Sequence, residues 1–156
     1  MLAAVWALLF AWAVPASAAS IDVQLIRPPP NTYASLSRLI EVAELGDAKA
    51  QARLGWMYLM GRDVPQHNQL AARWYRLSAA QGYGPAQFAL GLLYNRGRGV
   101  PQDLVLSYIW LNLAAAQARG EDRDFKVRIR EAVASKMTVD QLEMAQQMTV
   151  DFHAGR

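Results

Sequence analysis

The sequence predicts an all-α protein: an α/α solenoid of two helical hairpins, with an N-terminal half-repeat and C-terminal capping helices. Three observations predict it. First, one stretch is written twice. Gly46-Asp47-Ala48-Lys49-Ala50-Gln51-Ala52-Arg53-Leu54-Gly55-Trp56-Met57-Tyr58 is answered by Gly82-Tyr83-Gly84-Pro85-Ala86-Gln87-Phe88-Ala89-Leu90-Gly91-Leu92-Leu93-Tyr94. Gly61-Arg62-Asp63-Val64-Pro65-Gln66 is answered by Gly97-Arg98-Gly99-Val100-Pro101-Gln102, and Leu70, Trp74 and Leu77 by Leu106, Trp110 and Leu113. The constant offset, about 36 residues, is that of helical-hairpin repeats. Second, apolar residues within each copy recur at helical spacing. Third, the chain is 53% apolar and has no cysteine, so helix packing must hold it together, and a cysteine nucleophile or cysteine metal site is excluded.

Taken in order, Ala3 to Val14 is an unbroken apolar run. Pro15 ends it, and Ala16-Ser17-Ala18 offers small residues at both positions a signal peptidase reads. Residues 1–18 are therefore expected to be a signal peptide cleaved near Ala18, and the protein to be periplasmic or secreted. No Lys or Arg precedes the run, so either the true start lies upstream or the signal is weak. The alternative, an uncleaved anchor, is disfavoured because the run is shorter than the roughly 20 residues of a comfortable span. Residues 19–32 form a lead-in, extended and stiff at Arg27-Pro28-Pro29-Pro30, because proline fixes φ and disfavours helix in the residue before it. The repeat domain is expected over residues 33–156.

The first helix is expected from Tyr33 to Leu45, with Leu36, Leu39, Ile40 and Ala43 on one face. It has the place of the second half of an earlier repeat and caps the first end. Ala48 to Met60 follows, with Ala50, Leu54, Met57 and Tyr58 inward and Gly61 stopping it. Gly55 in mid-helix costs about 1 kcal/mol against alanine. Its recurrence at Gly91 implies a partner helix crossing too close for a side chain. Val64-Pro65 plugs the hairpin end. The next helix runs from His67 to Ala80, with Leu70, Ala71, Trp74 and Leu77 inward; His67 stands where the second copy has Asp103, the better N-cap. Gly82 to Asn95 and Asp103 to Ala118 repeat the pair, with Pro85 tolerated in a first turn. After a polar break at Arg119-Gly120-Glu121-Asp122, a helix over Asp124 to Lys136 turns Phe125, Ile129, Ala132 and Val133 to one side. Thr138-Val139-Asp140-Gln141 has the form of a capping box. It opens a last helix to about Phe152, with Leu142, Ala145, Met148 and Phe152 inward. This closing hairpin, a cap over 121–153, reads as out of register with the repeats and as the seal of the far end.

The motif Gly-Asp-x-x-Ala-Gln-x-x-Leu-Gly-x-Met-Tyr-x-x-Gly, then Val-Pro-Gln, then Ala-x-x-Trp-Tyr-x-x-Ser-Ala-Ala-Gln-Gly resembles the Sel1-like repeat, a relative of the tetratricopeptide repeat with a longer hairpin loop. Residues 43–78 and 79–114 each match over their full length. The resemblance implies an α/α solenoid used as an adaptor, often exported. Asp63 replaces the usual glycine before Val64 and His67 the cap aspartate. The cysteine-rich branch of the family is a poor model for a chain without cysteine.

Positions shared by the copies, such as Leu54/Leu90, Tyr58/Tyr94 and Trp74/Trp110, read as structural. The unshared ones carry the functional expectation. Lys49, Arg53, Trp56 and Met60 fall on one strip of the first helix, off its core face, and their counterparts are Pro85, Ala89, Leu92 and Arg96. If these helices line the concave side, Trp56 and Leu92 are adjacent apolar residues with Lys49, Arg53 and Arg96 beside them. An exposed tryptophan is a ready hot spot, and the basic flanks favour a protein segment bearing carboxylates. The competing reading has the terminal helices cover Trp56. Tyr83 and Tyr108 rank second, as packing at helix ends.

Other classes are disfavoured. The net charge is +3 and no Lys or Arg run forms a nucleic-acid stripe. His67 and His153 belong to no His-Glu-x-x-His array, and Ser-x-x-Lys and Gly-x-Ser-x-Gly do not occur. No metal or cofactor is expected, and the membrane only through an uncleaved signal. The reading is a non-catalytic protein–protein adaptor of the cell envelope; the alternative is an envelope enzyme or accessory factor acting on peptidoglycan or β-lactams.

Overall fold

The computed structural model describes residues 30–154. Expectations for the signal run and the lead-in up to residue 29 lie outside the described residues. Helix α1 spans Pro30–Glu44, α2 Ala48–Met60, α3 Asn68–Ala80, α4 Gly84–Arg96, α5 Leu104–Gln117, α6 Gly120–Ala134 and α7 Val139–Ala154. Consecutive helices pack from α1 to α6, and α7 packs on α5. No helix among the described residues is long and apolar enough to cross a membrane.

The helix ends follow local chemistry. Asp47 accepts a hydrogen bond from the Ala50 N–H at 2.6 Å and opens α2, and Gly61 closes it in the left-handed conformation, φ 67°. Asp103 caps α5 through the Leu106 N–H at 2.9 Å. His67 does the same for α3 through Nδ1, at a longer 3.2 Å. Thr138 and Gln141 form the reciprocal capping box at α7. Helix α1 begins three residues before the expected Tyr33: Pro30 stands in its first turn, where a proline loses no hydrogen bond.

The repeat is a packing unit. Gln51 donates to the Ala43 carbonyl at 3.0 Å and accepts from Gln81 at 2.8 Å. One repeat later Gln87, fully buried, donates to Ala79 and accepts from Gln117. These amides satisfy the carbonyls at the end of the previous helix. Gly55 lies against the Tyr75 ring, where a Cβ would sit 3.0 Å away, and Gly91 against Leu111, where it would sit 2.7 Å away. Both mid-helix glycines thus mark close helix crossings.

The closing hairpin departs from expectation. Helices α2, α4 and α6 begin at Ala48, Gly84 and Gly120, and α3, α5 and α7 at Asn68, Leu104 and Val139. The hairpin spacing therefore persists a third time although the sequence signature does not: Arg123 stands where Gln51 and Gln87 stand. Several side chains expected inward are exposed, namely Leu77, Ala132, Phe125 and Met148. Leu77 and Met148 are on the rim of their faces, and Phe125 rests its ring on Phe88 instead. Val133, Leu142 and Ala145 do reach the core formed with Ile109, Leu111 and Leu113.

Candidate functional site

The strip on α2 opens onto a hollow of about 390 Å³ lined by Lys49, Ala52, Arg53, Trp56, Tyr75, Tyr83 and Pro85. Residues 49, 53 and 56 recur at helical spacing and so share one edge of α2. Tyr75, from α3, is the buried floor, and Tyr83 and Pro85 bring the start of α4 up as the facing wall. Trp56 is 40% exposed: the terminal helices do not cover it. The Arg62 guanidinium lies 5.6 Å from its ring centroid, a cation–π contact. Among the described residues the ion pairs are Lys126 with Asp122 and Arg130 with Glu131, both on α6. Lys49, Arg53 and Arg62 take part in neither of these pairs.

Three of the six strip residues named from sequence meet here: Lys49, Arg53 and Trp56. Met60 is exposed on the same strip, past the hollow. Leu92 is not beside Trp56 in the hollow; it packs among Tyr108, Ile109 and Val133. Arg96 is exposed in the last turn of α4 and is also not part of the hollow. The separation has a physical cause: α6 meets α4 at the Phe125–Phe88 ring pair, and Leu92 packs against the core cluster to which α6 contributes Val133.

Tyr83, a second-rank candidate from the sequence, packs against the core cluster of α3 and α4 and also lines the hollow. The signal was present in the repeat itself. Tyr83 stands where Asp47 stands, and α4 has no side-chain cap as a result. A lost cap costs about 1 kcal/mol, and the aromatic that replaces it forms one wall of the hollow. Tyr108, the other second-rank candidate, is buried beneath Arg130, 5.7 Å from its ring. Burial also pushes the Tyr75 hydroxyl pKa from 10.0 to about 12. Among the described residues no three His, Asp or Glu side chains converge as metal ligands.

The Sel1 repeat family model matches residues 48–83 and 84–118. A crystal structure of a Sel1 repeat protein from Oxalobacter formigenes is similar, with 39% identity and a TM-score of 0.56 over 60% of this chain and 70% of that one. So is the crystal structure of a protective antigen present in uropathogenic Escherichia coli strains and displaying an SLR fold. There the identity is 32% and the TM-score 0.66, over 71% of this chain but 23% of the other. No curated protein matches the chain.

Proposed function

The chain belongs to the Sel1 repeat family, and from that premise we propose that it is a non-catalytic adaptor of the cell envelope that holds an acidic segment of a partner protein in the Trp56 hollow. Sel1 repeats generally mediate protein–protein interactions, and the hollow supports assigning that role to this face. The observation that carries the reading is the exposed Trp56 among Lys49, Arg53 and Arg62, on a helix fixed from behind by Leu54 and Met57. Tryptophan supplies a large apolar contact at low entropic cost, and nearby cations select carboxylates. In this reading an apolar side chain of the partner packs on Trp56, Tyr83 and Pro85. Its carboxylates meet Lys49 and Arg53, and Met60 extends the contact.

The reading goes with export, supported by the apolar run of residues 3–14 and the Ala-Ser-Ala site. Fractionation with mass measurement of the N-terminus tests that part: a chain starting near Ala19 in the periplasm or medium is expected. The binding role is tested by Lys49→Glu/Arg53→Glu. Co-purification of the partner should be lost while circular dichroism and thermal unfolding stay unchanged. Retained co-purification would refute this use of the hollow.

A further inference from the structure

The groove between α1 and α2 carries no earlier helix of the described chain, while the same groove one and two repeats later has the preceding outer helix packed against it, with only a hollow left at its edge. Beside α3 and α4 that helix is α2: Gly55 lies on Tyr75, and Ala52 and Leu59 pack into the cluster that holds Tyr75 and Leu93. Beside α5 and α6 it is α4: Gly91 lies on Leu111, and Phe88 meets Phe125 with ring centroids 5.8 Å apart. Moving back one repeat turns Tyr75 into Leu39 and Leu93 into Met57. Those two residues, with Leu36 and Val42, floor a groove of about 330 Å³ whose rim carries Arg38, Arg53 and Asp63. One repeat before Ala52–Leu59 is the stretch 16–23, which lies just ahead of α1 in the chain.

We propose that this groove seats residues 19–27 of the same chain, closing the first end of the solenoid from within. The reach is right. Ser35 and Leu36, at the near end of the groove, stand about 8 Å along α1 from Pro30. Pro28 and Pro29 favour an extended backbone of about 3.1 Å per residue, enough to cover that distance on the way back. The chemistry is right as well. Ile21, Val23 and Leu25 alternate with Asp22 and Gln24, giving one apolar edge for the floor and a carboxylate for Arg38 on the rim. Run antiparallel to α1, Leu25 meets Leu36 and Ile21 meets Val42. The stretch is retained if the chain is cut near Ala18.

The chain has no cysteine, so a cysteine pair reports proximity cleanly. In the full chain, Val42→Cys is combined in turn with Ile21→Cys, Val23→Cys and Leu25→Cys and oxidised mildly. An intramolecular disulfide from at least one pair, identified by peptide mass, is expected, and none when Val150→Cys replaces Val42→Cys. A disulfide-linked dimer would assign the groove to a second copy and overturn the proposal, as would chains that stay reduced in every pair. A second readout does not depend on disulfide geometry. Deleting residues 19–27 should raise the alkylation rate of Val42→Cys several-fold while leaving that of Val150→Cys unchanged; equal rates at Val42→Cys with and without the segment would also overturn it.

Discussion

The outward faces of α2 and α4 are one face written twice, and they meet opposite fates. On α4, Phe88 and Leu92 are covered: Phe125 and Lys126 of α6 lie on Phe88, and Leu92 packs with Tyr108 and Val133. On α2, the counterparts Ala52 and Trp56 look into a hollow, because the facing part of α4 is Tyr83 and Pro85 and does not fill the space. The repeat dictates how helices cross. What a face is free to bind depends on the unrepeated residues of the hairpin that follows.

The loop positions Asp63 and Gly99 break that comparison most sharply. Both are left-handed, at φ 61° and 76°. A Cβ at Gly99 would lie 2.1 Å from the Asn68 carbonyl oxygen, because the second loop clamps the previous hairpin: Arg98 donates to Asn68 Oδ1 at 3.0 Å and to the Leu59 carbonyl at 3.1 Å. Gly99→Asp should therefore cost about 3 kcal/mol or more in urea unfolding, whereas Asp63→Gly should stay within about 1 kcal/mol of the parent. Next in size, Trp56→Ala should weaken partner binding at least tenfold, about 1.4 kcal/mol, in a titration, with its melting temperature held. Leu92→Ala should do the reverse, losing about 1–2 kcal/mol of stability by filling no space in the second core and leaving binding intact.

Tyr75 and its counterpart Leu111 separate the repeats by pH. Burial raises the folded-state pKa of Tyr75 to about 12, so the native state holds a proton the unfolded chain releases above pH 10. Stability present below pH 10 is then lost as pH rises towards 12, and Tyr75→Phe should flatten that slope in alkaline unfolding curves. The smallest effect is expected at the caps. His67→Asp should stabilise by about 0.5–1 kcal/mol, giving α3 the cap that Asp103 gives α5.

The elements that could be read from sequence are those whose cause is local. Gly61 and Gly97 end helices because they take φ of 67° and 64°, and Thr138 and Gln141 cap each other across one turn. Gly55 and Gly91 were legible because a mid-helix glycine needs a reason and recurrence narrows it to packing. Exposure was less legible. Periodicity finds the face of Leu77, Ala132 and Met148 but not whether a neighbour reaches them. The two helices of the third hairpin were legible but its register was not, because Arg123 and Arg119 stand at the Gln and cap positions that mark the repeat. Within the site, Lys49, Arg53 and Trp56 followed from helical spacing on one element. Tyr75, Tyr83 and Pro85 come from two other helices, and Leu92 was lost to α6, whose placement no local pattern encodes.

The claim that the hollow on α2 is the partner's seat is tested most directly by a photoreactive residue at position 56 in living cells, with a second probe at Leu77 on α3. The account predicts one dominant envelope protein captured from position 56, lost on Lys49→Glu/Arg53→Glu and absent from position 77. Capture of the same proteins from both positions, or of none from position 56, would contradict it.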